Sequence, residues 1–268
     1  MNPFASMHDT LARWGRSALA SVLAWWRVLH LGAEIIVLSL APSSYRQPVI
    51  RRAVLEQIYR ATVPLMTWFL VLSALVSLVL IRIVVATAMS YGLSQYALDV
   101  LVRTLVLELI PLYAALFVAV RFSMPAAQQV RRQLAEWRSA DGLPGHQGLL
   151  SGVLLPRALG SVFSVLLLAA LSCLIALVLT YLNVYGFLPW GLPAYTRNVG
   201  AVFTPAVSLI FVLKTLFFSF AVAFVPMASS AQPDADGGYA RRSDMTEFAR
   251  LLSVILLLEV VSLMGNYY

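Results

Sequence analysis

The sequence predicts an all-α integral membrane protein, with an N-terminal interfacial helix, five transmembrane helices and a cytoplasmic N-terminus. Three observations predict it. Over 268 residues the mean hydropathy is +0.83, with 60% hydrophobic and only 12% charged side chains, too little polar surface to clothe a soluble globule of this size. The charges fall between long apolar runs and rarely inside them. Arginines gather in alternate loops, the asymmetry that orients a membrane protein.

Residues 61–81 carry no formal charge and, at 1.5 Å per residue, cover about 30 Å of hydrocarbon. This run is the first predicted span, continuing to about residue 88. The second covers about 97–120 and carries Arg103 and Glu108, and the third, about 159–182, is uncharged. The fourth covers about 201–228 with Lys214 near its middle, and the fifth about 249–268 with Glu259 near its middle. Arg46, Arg51, Arg52 and Arg60 precede the first span. Arg121, Arg131, Arg132, Arg138 and Arg157 follow the second, and Arg241, Arg242 and Arg250 follow the fourth. These three regions are expected on the cytoplasmic side, and residues 49–268 are expected to form one membrane domain.

The N-terminal region, 1–48, is read as cytoplasmic and interfacial. Its apolar stretch Ser17–Leu40 is long enough to cross, but Arg27, His30 and Glu34 recur at helical spacing as one polar stripe beside Trp25 and Trp26. A sixth span would also place Arg13 and Arg16 outside, against the charge rule.

Several chemistries lack their minimum parts. The pI near 9.9 comes from short arginine clusters beside apolar segments, which suits anionic headgroups and predicts no nucleic-acid partner. Cys173 is the single cysteine, and His8, His30 and His146 are scattered, so neither a disulfide nor a metal or cofactor site is expected. The one lysine, Lys214, has no glycine-rich loop before it, and no Gly-x-Ser-x-Gly or His-Glu-x-x-His motif occurs, so no catalytic residue is predicted.

Glu108, Lys214 and Glu259 lie inside predicted spans, where a charge needs a partner or a wet cavity. Lys214 has no acid within four residues, so Glu108 and Glu259 are its candidate partners. Two readings stay open: a polar network beside a path for substrate, or ties between helices and neutralised groups. Arg82 and Arg103, close to the outer helix ends, are expected to snorkel.

Tyr91-Gly92, Tyr96, Glu108, Pro111, Arg121 and the run Leu155-Pro156-Arg157-Ala158-Leu159, in this order, resemble the MlaE/YrbE permeases, the membrane subunits of MCE-type ABC lipid transporters. Lys214-Thr215 resembles the family's Lys-Ser, and Glu259 stands where the family has an Asp. The resemblance covers roughly residues 50–268. Leu107 replaces the family's Arg before the second-span Glu, and of the cytoplasmic coupling motif Glu136 and Ala140 remain, in Glu136-Trp137-Arg138-Ser139-Ala140-Asp141. The helix around Gln128–Arg138 is therefore either a coupling helix or a basic helix on the headgroups.

The resemblance implies a permease of the bacterial inner membrane, without its own ATPase site, acting as a homodimer or as half of a heterodimer. An ATP-binding subunit is implied on the cytoplasmic face, reached through Glu136, Trp137, Arg138 and Ala140, and an MCE-domain protein on the periplasmic face. The implied cargo is a phospholipid or similar amphiphile, its headgroup near Glu108, Lys214 and Glu259. The divergent coupling motif also leaves a non-transporting membrane scaffold as an alternative.

Overall fold

The computed structural model describes residue 26 and residues 29–41, 47–92, 94–140, 142, 144–232 and 244–267. Expectations placed on Arg13, Arg16, Trp25, Arg27, Arg46, Asp141, Arg241, Arg242 and the side chain of Tyr96 lie outside the described residues. Seven helices follow in order, and no β-strand occurs among the described residues: α1 (Leu29–Leu40), α2 (Pro48–Ser90), α3 (Leu98–Ser139, entered from Ser94), α4 (His146–Tyr185), α5 (Leu192–Val202), α6 (Pro205–Ala231) and α7 (Asp244–Tyr267). Four of them, α2, α3, α4 and α6, are long and apolar enough to cross a membrane. The expected fifth span falls on α7, a 24-residue helix that packs along α6.

Three helices run far past the hydrocarbon. The 43 residues of α2, 42 of α3 and 40 of α4 each reach about 60 Å, twice the apolar thickness of a bilayer. The sequence boundaries marked the apolar segments, and the polar extensions beyond them continue helical, across Pro125 in α3 and Pro156 in α4. α2 starts with Pro48 at its first turn and ends at Tyr91-Gly92, where Gly92 takes φ +70°. α6 starts at Pro205 and not at 201, because Thr204, before a proline, is extended (ψ 158°). The Thr204 hydroxyl accepts from the Val207 N–H at 3.3 Å and caps the new helix.

Prolines also explain the three π-helical stretches, Val102–Leu109, Ala119–Ser123 and Leu150–Leu154. Each ends just before a residue-plus-proline pair: Ile110-Pro111, Met124-Pro125 and Leu155-Pro156. A proline ring crowds the carbonyl four residues back and offers it no N–H. The residue before each proline instead donates five residues back, Ile110 to Leu105, Met124 to Ala119 and Leu155 to Leu150, and the widened turn keeps the helix whole.

The most extensive packing joins α2 to α4. Small residues let the two backbones meet: a Cβ added to Gly160 would lie 3.0 Å from the Gln57 carbonyl oxygen, and one turn on the Ser164 hydroxyl donates to the Ala61 carbonyl at 2.9 Å. α4 packs in turn on α6, and α6 on α7. At one end of the molecule, Tyr181, Tyr185 and Tyr195 form a ring cluster with centroids 5.3–6.0 Å apart, which seats α5 against α4. At the other, α1 docks through Ile35, and Gly32 lies against Phe224 of α6.

Gly160→Leu is expected to force α2 from α4 and to lower stability by about 2 kcal/mol or more, as overpacking does. Thermal unfolding in detergent, with Gly152→Leu at an open position as control, measures it.

Candidate functional site

The site lies where α3, α6 and α7 meet. Lys214 sits nine residues into α6, about 13 Å from the start of that helix and so near the middle of an apolar layer. Its side chain is 3% exposed, which excludes solvation as the source of its stability. The ammonium donates to Glu108 Oε2 on α3 and to Glu259 Oε1 on α7 at 3.0 Å. Glu259 Oε2 is also 3.0 Å away, but only Oε1 lies at a hydrogen-bonding angle, which leaves Oε2 buried without a hydrogen bond. Both glutamates are 13% exposed. The Phe218 ring, 5.7 Å from the ammonium, adds a cation–π contact.

Sequence spacing could not place these groups together, since 106 residues separate Lys214 from Glu108 and 45 separate it from Glu259. Local structure does it. Glu108 belongs to the π-helical stretch before Pro111, where the extra residue per turn rotates the following side chains relative to a regular α-helix. Leu107, buried beside it, contributes no charge. The triad thus holds two acids against one base.

A cavity of about 350 Å³ opens beside this network between α6 and α7. Lys214 is its one charged wall, Ser262 adds a hydroxyl, and Leu213, Phe217, Leu258 and Val261 are among the apolar rest. Apolar walls with one buried cation suit an amphiphile, whose chains need grease and whose headgroup needs a few polar contacts.

The family model Permease MlaE matches residues 54–264. The chain belongs to the MlaE permease family. No curated protein matches its sequence. Membership makes the chain a multi-pass membrane protein and the transmembrane permease subunit of a lipid transporter, a membrane component that is not itself an enzyme. Glu108, Lys214 and Glu259 all fall within the matched residues.

The other expected site residues stand elsewhere. Glu136, Trp137 and Arg138 lie in the last turn of α3, with Ala140 just past it, and the chain turns there through Ala140 N–H to Glu136 O (3.2 Å) and Gly142 N–H to Trp137 O (2.9 Å). Glu136, Arg138 and Ala140 are exposed, while the Trp137 ring packs against the apolar cluster that includes Val130, Leu134 and Leu154. This region is a rigid helix tip about 40 Å along α3 from Glu108. Arg103, expected to snorkel, pairs with Asp99 at 3.2 Å.

Two features were not legible. Arg131, read as a loop charge, is buried and donates to the Ser229 carbonyl of α6 at 3.1 Å, and the Ser229 hydroxyl reaches Glu247 of α7 at 3.5 Å. The same three helices are therefore tied a second time, nearer the Glu136 tip of α3. His30 and His146, expected to be scattered, both meet Glu34, at 3.2 and 3.0 Å, and pin α1 to the foot of α4. No group of three or more His, Cys, Asp or Glu among the described residues is arranged to hold a metal.

Removing only the cation strands two buried carboxylates, so Lys214→Met is expected to lower stability by about 3–5 kcal/mol. The triple variant Glu108→Gln, Lys214→Met, Glu259→Gln leaves no charge in this network and is expected to recover most of that loss. Thermal unfolding of both variants in the same detergent makes the comparison.

Proposed function

We propose that this MlaE-family permease moves a phospholipid or similar amphiphile between the bacterial inner membrane and an MCE-domain protein on the periplasmic side. ATP is hydrolysed on a separate subunit bound at the cytoplasmic face. Five spans, counting α7, with the N-terminus cytoplasmic and residues 1–48 lying along the interface, fit the arginine distribution. A second permease copy completes the apolar cavity, since α6 and α7 leave Leu209, Val212, Leu257 and Val261 exposed beside it.

One observation carries this reading: a buried lysine between two carboxylates from two other helices, opening on an apolar cavity. Ties between helices alone need no cavity and no surplus acid. The lipid is held with its chains on Leu213, Phe217 and Leu258 and its headgroup near Lys214, and the helix tip at Glu136, Trp137, Arg138 and Ala140 takes the ATPase. A second reading, a membrane scaffold that does not transport, is favoured by the divergence of that tip from the family motif.

Purification in mild detergent followed by identification of bound partners separates the two. An ATPase and phospholipid that co-purify support the permease, whereas a solitary lipid-free protein supports the scaffold. In reconstituted vesicles the stable triple variant is expected to lose transport by at least tenfold, and normal transport would remove the network from the mechanism. Reversing the exposed charges, Glu136→Arg with Arg138→Glu, is expected to release the ATPase in a pull-down without unfolding the spans. Retained ATPase would exclude this tip as the contact.

A further inference from the structure

A second groove, of about 400 Å³, lies between α2 and α3, on different helices from those that wall the Lys214 cavity. Phe69 and Leu72 of α2 face Leu116, Phe117 and Val120 of α3, and the Phe69 and Phe117 rings meet at 4.9 Å. The hydroxyls of Ser73 and Tyr113 in its wall bond each other at 2.7 Å, so they ask nothing of an occupant. Charge enters at one end only. Arg121 is exposed there and makes no ion pair with any described residue. Its direction is fixed from behind: it sits in the π-helical turn Ala119–Ser123, whose Ser123 hydroxyl donates to the Val222 carbonyl of α6 and holds the opposite side of the turn inward. From Arg121 to Tyr113, two turns away, the groove runs about 12 Å along α3.

An apolar trough with a lone guanidinium at its mouth matches one molecule the bilayer always supplies: an acyl chain with a phosphate at its end. In the topology proposed above, on which this inference rests, Arg121 stands at the cytoplasmic end of α3, the leaflet where anionic lipids meet basic side chains. We propose that this groove holds one acyl chain of an anionic phospholipid of the cytoplasmic leaflet, its phosphate against Arg121, as a resident lipid separate from the cargo. No wall of the groove belongs to α6 or α7, so the resident lipid braces α2 against α3 and does not enter the Lys214 cavity.

The test titrates the purified full chain in detergent with phosphatidylglycerol, phosphatidylcholine or inorganic phosphate and follows the unfolding temperature. Phosphatidylglycerol is expected to raise it saturably, and the other two much less. Arg121→Gln is expected to weaken the apparent affinity for phosphatidylglycerol about fivefold, the scale of one exposed charge pair, while Arg52→Gln leaves it unchanged. Leu72→Trp fills the trough and is expected to abolish the response with helicity retained. An equal response to phosphatidylcholine or to inorganic phosphate, or an unchanged affinity in both Arg121→Gln and Leu72→Trp, would overturn the proposal. The triple variant at the Lys214 network keeps the phosphatidylglycerol response, so failure of the transport reading and failure of this one are read separately.

Discussion

The constraint on which the structure turns is the position of one ammonium group. Lys214 lies in the middle of an apolar layer with almost no exposed surface, where an unpaired charge costs several kcal/mol. Its own helix offers no acid, so α3 and α7 must each bring a carboxylate to it. Three helices otherwise free to slide in hydrocarbon, where apolar side chains gain nothing by meeting one another, are thereby given a fixed depth and rotation. The π-turns serve the same end, because they let α3 carry Pro111 and Pro125 without breaking its run to the Glu136 tip.

Two kinds of packing divide the molecule. Between α2 and α4 the contact is backbone against backbone, with Gly160 and Ser164 admitting the Gln57–Ala61 turn, and such a contact tolerates little displacement. Between α3, α6 and α7 the ties are polar and occur at two levels, the Lys214 network and the Arg131–Ser229–Glu247 set. Hydrogen-bonded sets of this kind can exchange partners as a unit, whereas close-packed backbones cannot. Rearrangement is therefore easier at the three polar helices, two of which, α6 and α7, wall the cavity.

Most of the fold was legible because hydrophobic thickness is a property of composition along the chain. The apolar runs marked α2, α3, α4 and α6, and Lys214 could be recognised as needing acids simply because it had none nearby. What could not be read were contacts between residues far apart in sequence. Nothing around Arg131 distinguishes a buried cation from a solvated one, and while the spacing of His30 and Glu34 already put them on one helix face, nothing around His146 announces that it meets Glu34 as well. The π-turns did leave a signal, a proline inside an otherwise unbroken helical pattern, but that pattern equally fits a kink or a helix end. The helical extensions of α2, α3 and α4 were hidden for a different reason: they are polar, and a search for hydrocarbon-spanning runs stops where polarity begins.

Those extensions connect the two ends of the proposed mechanism. α3 runs without interruption from Glu108 to the exposed tip at Glu136 and Arg138, so a displacement of the tip is carried by one rigid element toward the Lys214 network. On the way α3 is fastened to α6 at Ser123–Val222 and at Arg131–Ser229, and α6 bears Lys214 itself. A displacement of the Glu136 tip therefore acts on both members of the Glu108–Lys214 pair and less directly on Glu259, which α7 supplies from a helix tied to α6 at Glu247–Ser229. Glu259 keeps one oxygen, Oε2, outside the hydrogen bond its other oxygen accepts, although it too stands 3.0 Å from the ammonium.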